Sequence, residues 1–184
     1  MTQRIIISGS GGQGIMMLGK VLAQAAMREG KFVTFLPAYG AEVRGGTANC
    51  MVVISEEEIG SPVVEAADSL IVMNEPSLDR FACRLTKAGT IFINSSLVPA
   101  EKIKAGSVAF PFTGIAMNLG NQRAANMVAL GVFCGQSKIV SVQTVTTIIS
   151  ESAPADKKEQ AGLNIKALEA GNDLIKTGRG RKNG

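Results

Sequence analysis

Histidine and tryptophan are absent from the 184-residue chain, and tyrosine occurs once. Without histidine, the commonest neutral-pH acid–base group and a frequent metal ligand are missing. Cysteine is scarce as well: Cys50, Cys83 and Cys134 stand far apart and form no CxxC. An odd, scattered set reads as reduced thiols of a cytoplasmic protein. It argues against an iron–sulfur cluster or structural zinc held by this chain alone, so no metal site is expected. No apolar run approaches the ~20 residues that span a bilayer. The opening "MTQRIIISGS" lacks the apolar region and cleavage site of a secretory signal. A cytoplasmic location without a membrane partner is the expectation.

Acidic residues are outnumbered, 15 against 19 basic, but the excess is local. Lys176, Arg179, Arg181 and Lys182 crowd into "KTGRGRKNG", and without those four the remaining basic residues balance the acidic ones. The positive charge belongs to a tail and not to a binding face, so no nucleic-acid partner is expected. An apolar content of 46% and a length of 184 residues suit a single packed domain. Its expected extent is residues 1–176, with 177–184 a flexible basic tail.

Short apolar runs at 4–8, 31–37, 47–55, 69–74 and 89–96 predict strands, and 107–113 a sixth at an edge because of Pro111. Helical patterns cover 15–29, 77–86, 121–135, 142–151 and 157–175. Continuous apolar strands alternating with helices predict an α/β fold. The form expected is a Rossmann-like three-layer α/β/α sandwich with a mixed, largely parallel sheet. The connection between the second and third strands is too short for a crossover helix, which requires an antiparallel or unusually wound part.

Between the first strand and first helix lies "GSGGQG", residues 9–14. Gly9, Gly11 and Gly14 satisfy G-x-G-x-x-G, a tight turn that bares backbone amides beside a helix N-terminus, with Gly14 read as the point where helix and sheet approach closely. Gly12 loosens the loop further, and Gln13 is placed to donate an amide hydrogen bond. A nicotinamide or flavin dinucleotide would also need an acid closing the second strand, to hold the ribose hydroxyls. That stretch reads Thr34-Phe35-Leu36-Pro37, with no carboxylate. The fingerprint is incomplete. Another phosphorylated carrier, or a crowded corner binding nothing, stays open.

A second glycine-rich segment, "YGAEVRGGTAN", spans 39–49. Tyr39, Gly40, Gly45 and Gly46 surround Glu42 and Arg44, and an arginine among glycines can present its fork to a phosphate or carboxylate. If the strands before the two segments are parallel neighbours, both loops share one sheet edge, where α/β ligands sit. No nucleophile elbow, metal-ligand spacing or paired acid–base set marks a catalytic centre, so no catalytic residue is assigned. Helix patterning adds a clue about partners. "NMVALGVFCG", 126–135, carries no charge, so its helix needs cover on most sides, from internal packing or from a partner subunit.

Four segments together, "SGSGGQG", "PAYGAEVRGGTANC", "NLGNQRAANMVALG" and "LNIKALEAG", resemble the gamma subunit of the 2-oxoacid:ferredoxin oxidoreductases over nearly the whole chain. "YGAEVRGGTA" is more similar to the 2-oxoglutarate type than to the pyruvate or indolepyruvate types. The resemblance implies a subunit of a thiamine-diphosphate-dependent complex, inactive alone. Such a complex decarboxylates a 2-oxoacid, passes electrons to ferredoxin and loads the acyl group on coenzyme A, or runs the reverse carboxylation. It also implies alpha and beta partner subunits, with a delta ferredoxin-like subunit in some assemblies. Thiamine diphosphate, magnesium and iron–sulfur clusters would sit in those partners, with no cofactor tightly bound by this chain. Gly9, Gly11, Gly12, Gln13, Gly14, Tyr39, Glu42, Arg44, Gly45 and Gly46 match the two loops, expected to contact coenzyme A or a subunit boundary. A scaffold without ligand contacts and a free-standing nucleotide- or flavin-binding oxidoreductase domain are the alternatives, and a homo-oligomer of the isolated chain stays open.

Overall fold

The computed structural model describes residues 1–38 and 47–178. Six strands, β1 (Thr2–Ser10), β2 (Phe32–Ala38), β3 (Thr47–Ser55), β4 (Ala67–Val72), β5 (Leu85–Asn94) and β6 (Val108–Phe110), form one sheet in the order β2-β3-β1-β4-β5-β6. β3 is antiparallel to both β1 and β2, whereas β4 pairs parallel with β1 and β5, and β6 pairs parallel with β5. Five strands therefore point one way and β3 alone returns. This is the mixed, largely parallel sheet, and the short second connection is its cause.

One face of the sheet carries most of the helical mass: α1 (Ile15–Arg28), α3 (Phe112–Asn118), α4 (Ala125–Ser137), α5 (Val142–Glu151) and α6 (Lys158–Lys176). Residues of alternating parity on the strands send Ile5, Ile7, Cys50, Val52, Ile71 and Phe92 into that core, where Phe92 meets Phe133 of α4 edge-on at 5.4 Å. The opposite face is thinner. Ile6, Val53, Leu70, Val72 and Ile93 pack there against α2 (Glu75–Phe81) through Leu78 and Phe81, and against Val64 and Val98 from neighbouring loops. The fold is a three-layer α/β/α sandwich with unequal outer layers.

The sixth strand stands at the sheet edge, as expected, but covers only three of residues 107–113, and α3 follows from Phe112 with Pro111 as its N-cap. Proline cannot continue a sheet ladder but fits a helix start, where its missing N–H leaves no bond unmade. The charge-free stretch that needed cover finds it inside the chain. Every residue from Ala125 to Cys134 in α4 is buried, and α6 lies along it. Val128 and Gly131 of α4 meet Leu168 and Gly171 of α6 so closely that a Cβ on either glycine would run into the facing backbone carbonyl. The apolar character of α4 is thus explained without a partner subunit.

Candidate anion-binding site

The C-terminal edge of the parallel strands gathers the ends of β1, β2 and β4 and the start of β3. In register, Ser10 stands opposite Thr47, and Ala38 opposite Asn49. The shared edge expected from the sequence is conditional on β1 and β2 being parallel neighbours; they are not neighbours, since β3 lies between them. Because β3 runs antiparallel to each, β1 and β2 still point the same way and end together. Ser10, Ala38 and Thr47 thus meet at one edge. Tyr39, Gly40, Glu42, Arg44, Gly45 and Gly46 lie outside the described residues.

The first loop is built from inside. Gln13 Oε1 accepts from the Ser10 N–H at 2.7 Å, and Gln13 Nε2 donates toward the Met73 carbonyl at 3.4 Å. Its amide thus donates a hydrogen bond, as expected, and braces the turn against the end of β4. Gly9 is enclosed: a Cβ there would lie 2.6 Å from Gln13 Oε1 and 2.6 Å from Ile15 Cδ1. Gly14 is the N-cap of α1 at φ 71°, and a Cβ would overlap the Asn126 side chain, whose Nδ2 donates to the Gly14 carbonyl at 3.1 Å. The close helix-to-sheet approach assigned to Gly14 occurs instead at Gly19, where a Cβ would lie 2.5 Å from Cys50 Sγ and 2.9 Å from the Phe35 ring.

Gly11 and Gly12 differ from these. Both are exposed, and a Cβ on either would meet no atom within 4 Å. Behind them α1 begins without a side-chain cap and without an acidic residue in its first turn. Unpaired amides and a partial positive field at that end suit an anion. Around the loop a polar frame holds the edge together. Asn74 caps α2 by accepting from the Ser77 N–H at 3.1 Å and donates to Ser10 Oγ at 2.5 Å. Fully buried Asn94 donates to the Met73 carbonyl at 3.1 Å and to Thr113 Oγ1 at 2.9 Å. The convergence of Asn126, Asn94 and Asn74 follows from the strand order. Arg80, which sequence reading passed over, donates from Nη1 to Thr47 Oγ1 at 2.7 Å.

The edge offers little to drive bond-breaking. Burial pushes the Cys50 thiol up to about 12, and burial, with the Glu29 charge, does the same for Cys134 at about 12, so neither is a nucleophile near neutrality. Among the described residues, no group of three or more histidine, cysteine, aspartate or glutamate side chains could hold a metal ion, and no helix is long and apolar enough to cross a membrane. Nothing among them fits thiamine diphosphate's magnesium or a cluster. The exposed, uncapped loop does fit a phosphate.

Comparison with known proteins identifies a family over nearly the whole chain. The family model described as pyruvate ferredoxin/flavodoxin oxidoreductase matches residues 4–174. A 2-oxoglutarate synthase subunit KorC from Methanothermobacter marburgensis is 33% identical over 97% of this chain and 100% of its own length. The ketoisovalerate oxidoreductase subunit VorA from Methanothermobacter thermautotrophicus is 39% identical over 91% of this chain, which spans 35% of that longer protein. Among solved structures, a keto/oxoacid ferredoxin oxidoreductase gamma subunit from Geobacter sulfurreducens superposes with TM-score 0.82 at 27% identity, covering 96% of this chain and 98% of that one. A 2-oxoglutarate:ferredoxin oxidoreductase from Magnetococcus marinus, with 2-oxoglutarate, coenzyme A and succinyl-CoA bound, superposes with TM-score 0.84 at 25% identity over 96% of this chain and 31% of that one.

Proposed function

The chain belongs to the pyruvate ferredoxin/flavodoxin oxidoreductase family, and from that membership we propose that it is the gamma subunit of a 2-oxoacid:ferredoxin oxidoreductase whose glycine-rich rim holds the phosphate-bearing end of coenzyme A. The observation that carries this reading is the open turn at Gly11 and Gly12 in front of the uncapped start of α1. It accepts an anion and supplies no reactive group. Coenzyme A, when bound, provides the thiol that takes the acyl group. This chain's residues bind and orient, while decarboxylation and electron transfer belong to alpha and beta partners and to ferredoxin as acceptor. Bound coenzyme A in the Magnetococcus relative supports the ligand class.

The acid we assign is 2-oxoglutarate, supported by the end-to-end correspondence with KorC. A branched-chain oxoacid is the second reading, favoured by the higher identity to VorA. An oxoacid panel on the purified complex, with coenzyme A and a ferredoxin acceptor, separates them by kcat/KM.

The loop assignment is tested by Arg44→Met in the whole complex. A lost charge-assisted contact of about 1.5–3 kcal/mol raises the KM for coenzyme A roughly 10- to 100-fold and leaves the oxoacid KM unchanged. Equal loss of rate at saturating coenzyme A, with dissociating subunits, would assign the segment to assembly. No change in either would sink both.

A further inference from the structure

We propose that Arg80 is a phosphate-reading residue of this rim, an inference that rests on the coenzyme A reading. Arg80 lies in the last turn of α2, on the thin face of the sheet, and its side chain is directed to the C-terminal edge. Its Nη1 donates to Thr47 Oγ1 at 2.7 Å, and its Cζ stands 5.5 Å from the centroid of the Phe81 ring. The hydroxyl and the ring hold the guanidinium beside Thr47, the register partner of Ser10, where the first glycine loop lies. Thr47 also belongs, in sequence, to the second glycine-rich segment, 39–49.

Charge pairing on α2 sharpens the point. The helix carries two acids, Glu75 and Asp79, and Lys102 takes both, with Nζ 2.8 Å from Glu75 Oε1 and 2.9 Å from Asp79 Oδ2. Among the described residues no carboxylate lies within ion-pair distance of Arg80, which is exposed. A cation held in place by a threonine and a ring, with the nearby acids engaged elsewhere, can donate its other N–H groups to a phosphate in bidentate fashion.

The test uses the intact complex and two acyl acceptors: coenzyme A, and pantetheine, which has the same thiol arm without phosphate. Arg80→Gln is expected to raise the KM for coenzyme A about tenfold, with Arg80→Lys recovering part. kcat/KM with pantetheine and the oxoacid KM stay unchanged. Inhibition by adenosine 3′,5′-bisphosphate, which has phosphates and no thiol arm, weakens about tenfold in the glutamine variant. An equal shift with both acceptors, unaltered inhibition, or no shift in coenzyme A KM would overturn the proposal. Arg44→Met and Gly11→Ala run alongside. If they raise the coenzyme A KM and Arg80→Gln does not, only the role of Arg80 falls; if none of the three does, the coenzyme reading falls with it.

Discussion

Glycines of one short motif perform different tasks, and single substitutions separate them. Gly14 has φ 71° against the Asn126 side chain, so Gly14→Ala combines a left-handed backbone with a collision. A loss of about 1–3 kcal/mol is expected, read by thermal unfolding of the isolated chain. Gly11 is free of both constraints: its φ is not positive, and an added methyl would meet nothing nearby. Gly11→Ala should therefore leave stability within about 0.5 kcal/mol. In the complex the same methyl would stand where the ligand approaches and raise the coenzyme A KM. A destabilised Gly11→Ala with normal kinetics would mean that the loop is a packed corner and nothing more. Sequence alone could not distinguish these glycines, because what separates them is the distance to Asn126, Ile15 and Met73, residues far apart in the chain.

Among the helices, α4 and α6 depend on each other most directly. Gly131 faces the Leu168 carbonyl and Gly171 faces the Val128 carbonyl, backbone against backbone. No rotamer change relieves such an overlap, so Gly131→Ala is expected to cost about 1–3 kcal/mol or more, and Gly131→Ala with Gly171→Ala to depart from additivity because the two contacts share one crossing. Urea unfolding of the singles and the double checks both. At the other end of α1, Glu29 ties down α5. Burial raises its pKa, but the Ser141 backbone N–H, the Thr144 and Ser141 hydroxyls and the Lys31 charge outweigh that, and the carboxyl ends below its usual value. The Ser141 bond measures 2.8 Å. A carboxyl whose pKa is lowered by folding stabilises above its unfolded pKa, and that stability fades as pH falls through the folded value. The stability gap between wild type and Glu29→Gln should accordingly be full at pH 7 and close below about pH 4. A gap independent of pH would show that Glu29 acts through packing alone.

For the molecule as a whole, much of the sandwich was legible in sequence because its strands and long helices carry continuous apolar or 3.6-residue patterns over many residues. α5 matches its expected span, 142–151, and β3 its span, 47–55. α3 escaped because a seven-residue helix behind a proline offers too few positions for a period to emerge. At the site, the glycines were legible and the frame was not: Asn74, Asn94, Asn126 and Arg80 reach this edge only through the strand order β3-β1-β4-β5. The apolar α4 was legible only in part. Its composition signals burial but not by what, and α6, whose polar coat hides two small-residue contacts, supplies the cover. With a core on each face of the sheet, the isolated chain is expected to unfold in one cooperative transition without partner subunits; dye binding to exposed apolar surface at low temperature would contradict this.

Hydrogen exchange on the intact complex, with and without coenzyme A, bears most directly on the anion rim. Backbone amides of residues 10–17 should exchange more slowly when coenzyme A is bound and be indifferent to the oxoacid. Saturating coenzyme A that leaves those amides unchanged while protecting only a partner chain would contradict a phosphate site at the start of α1.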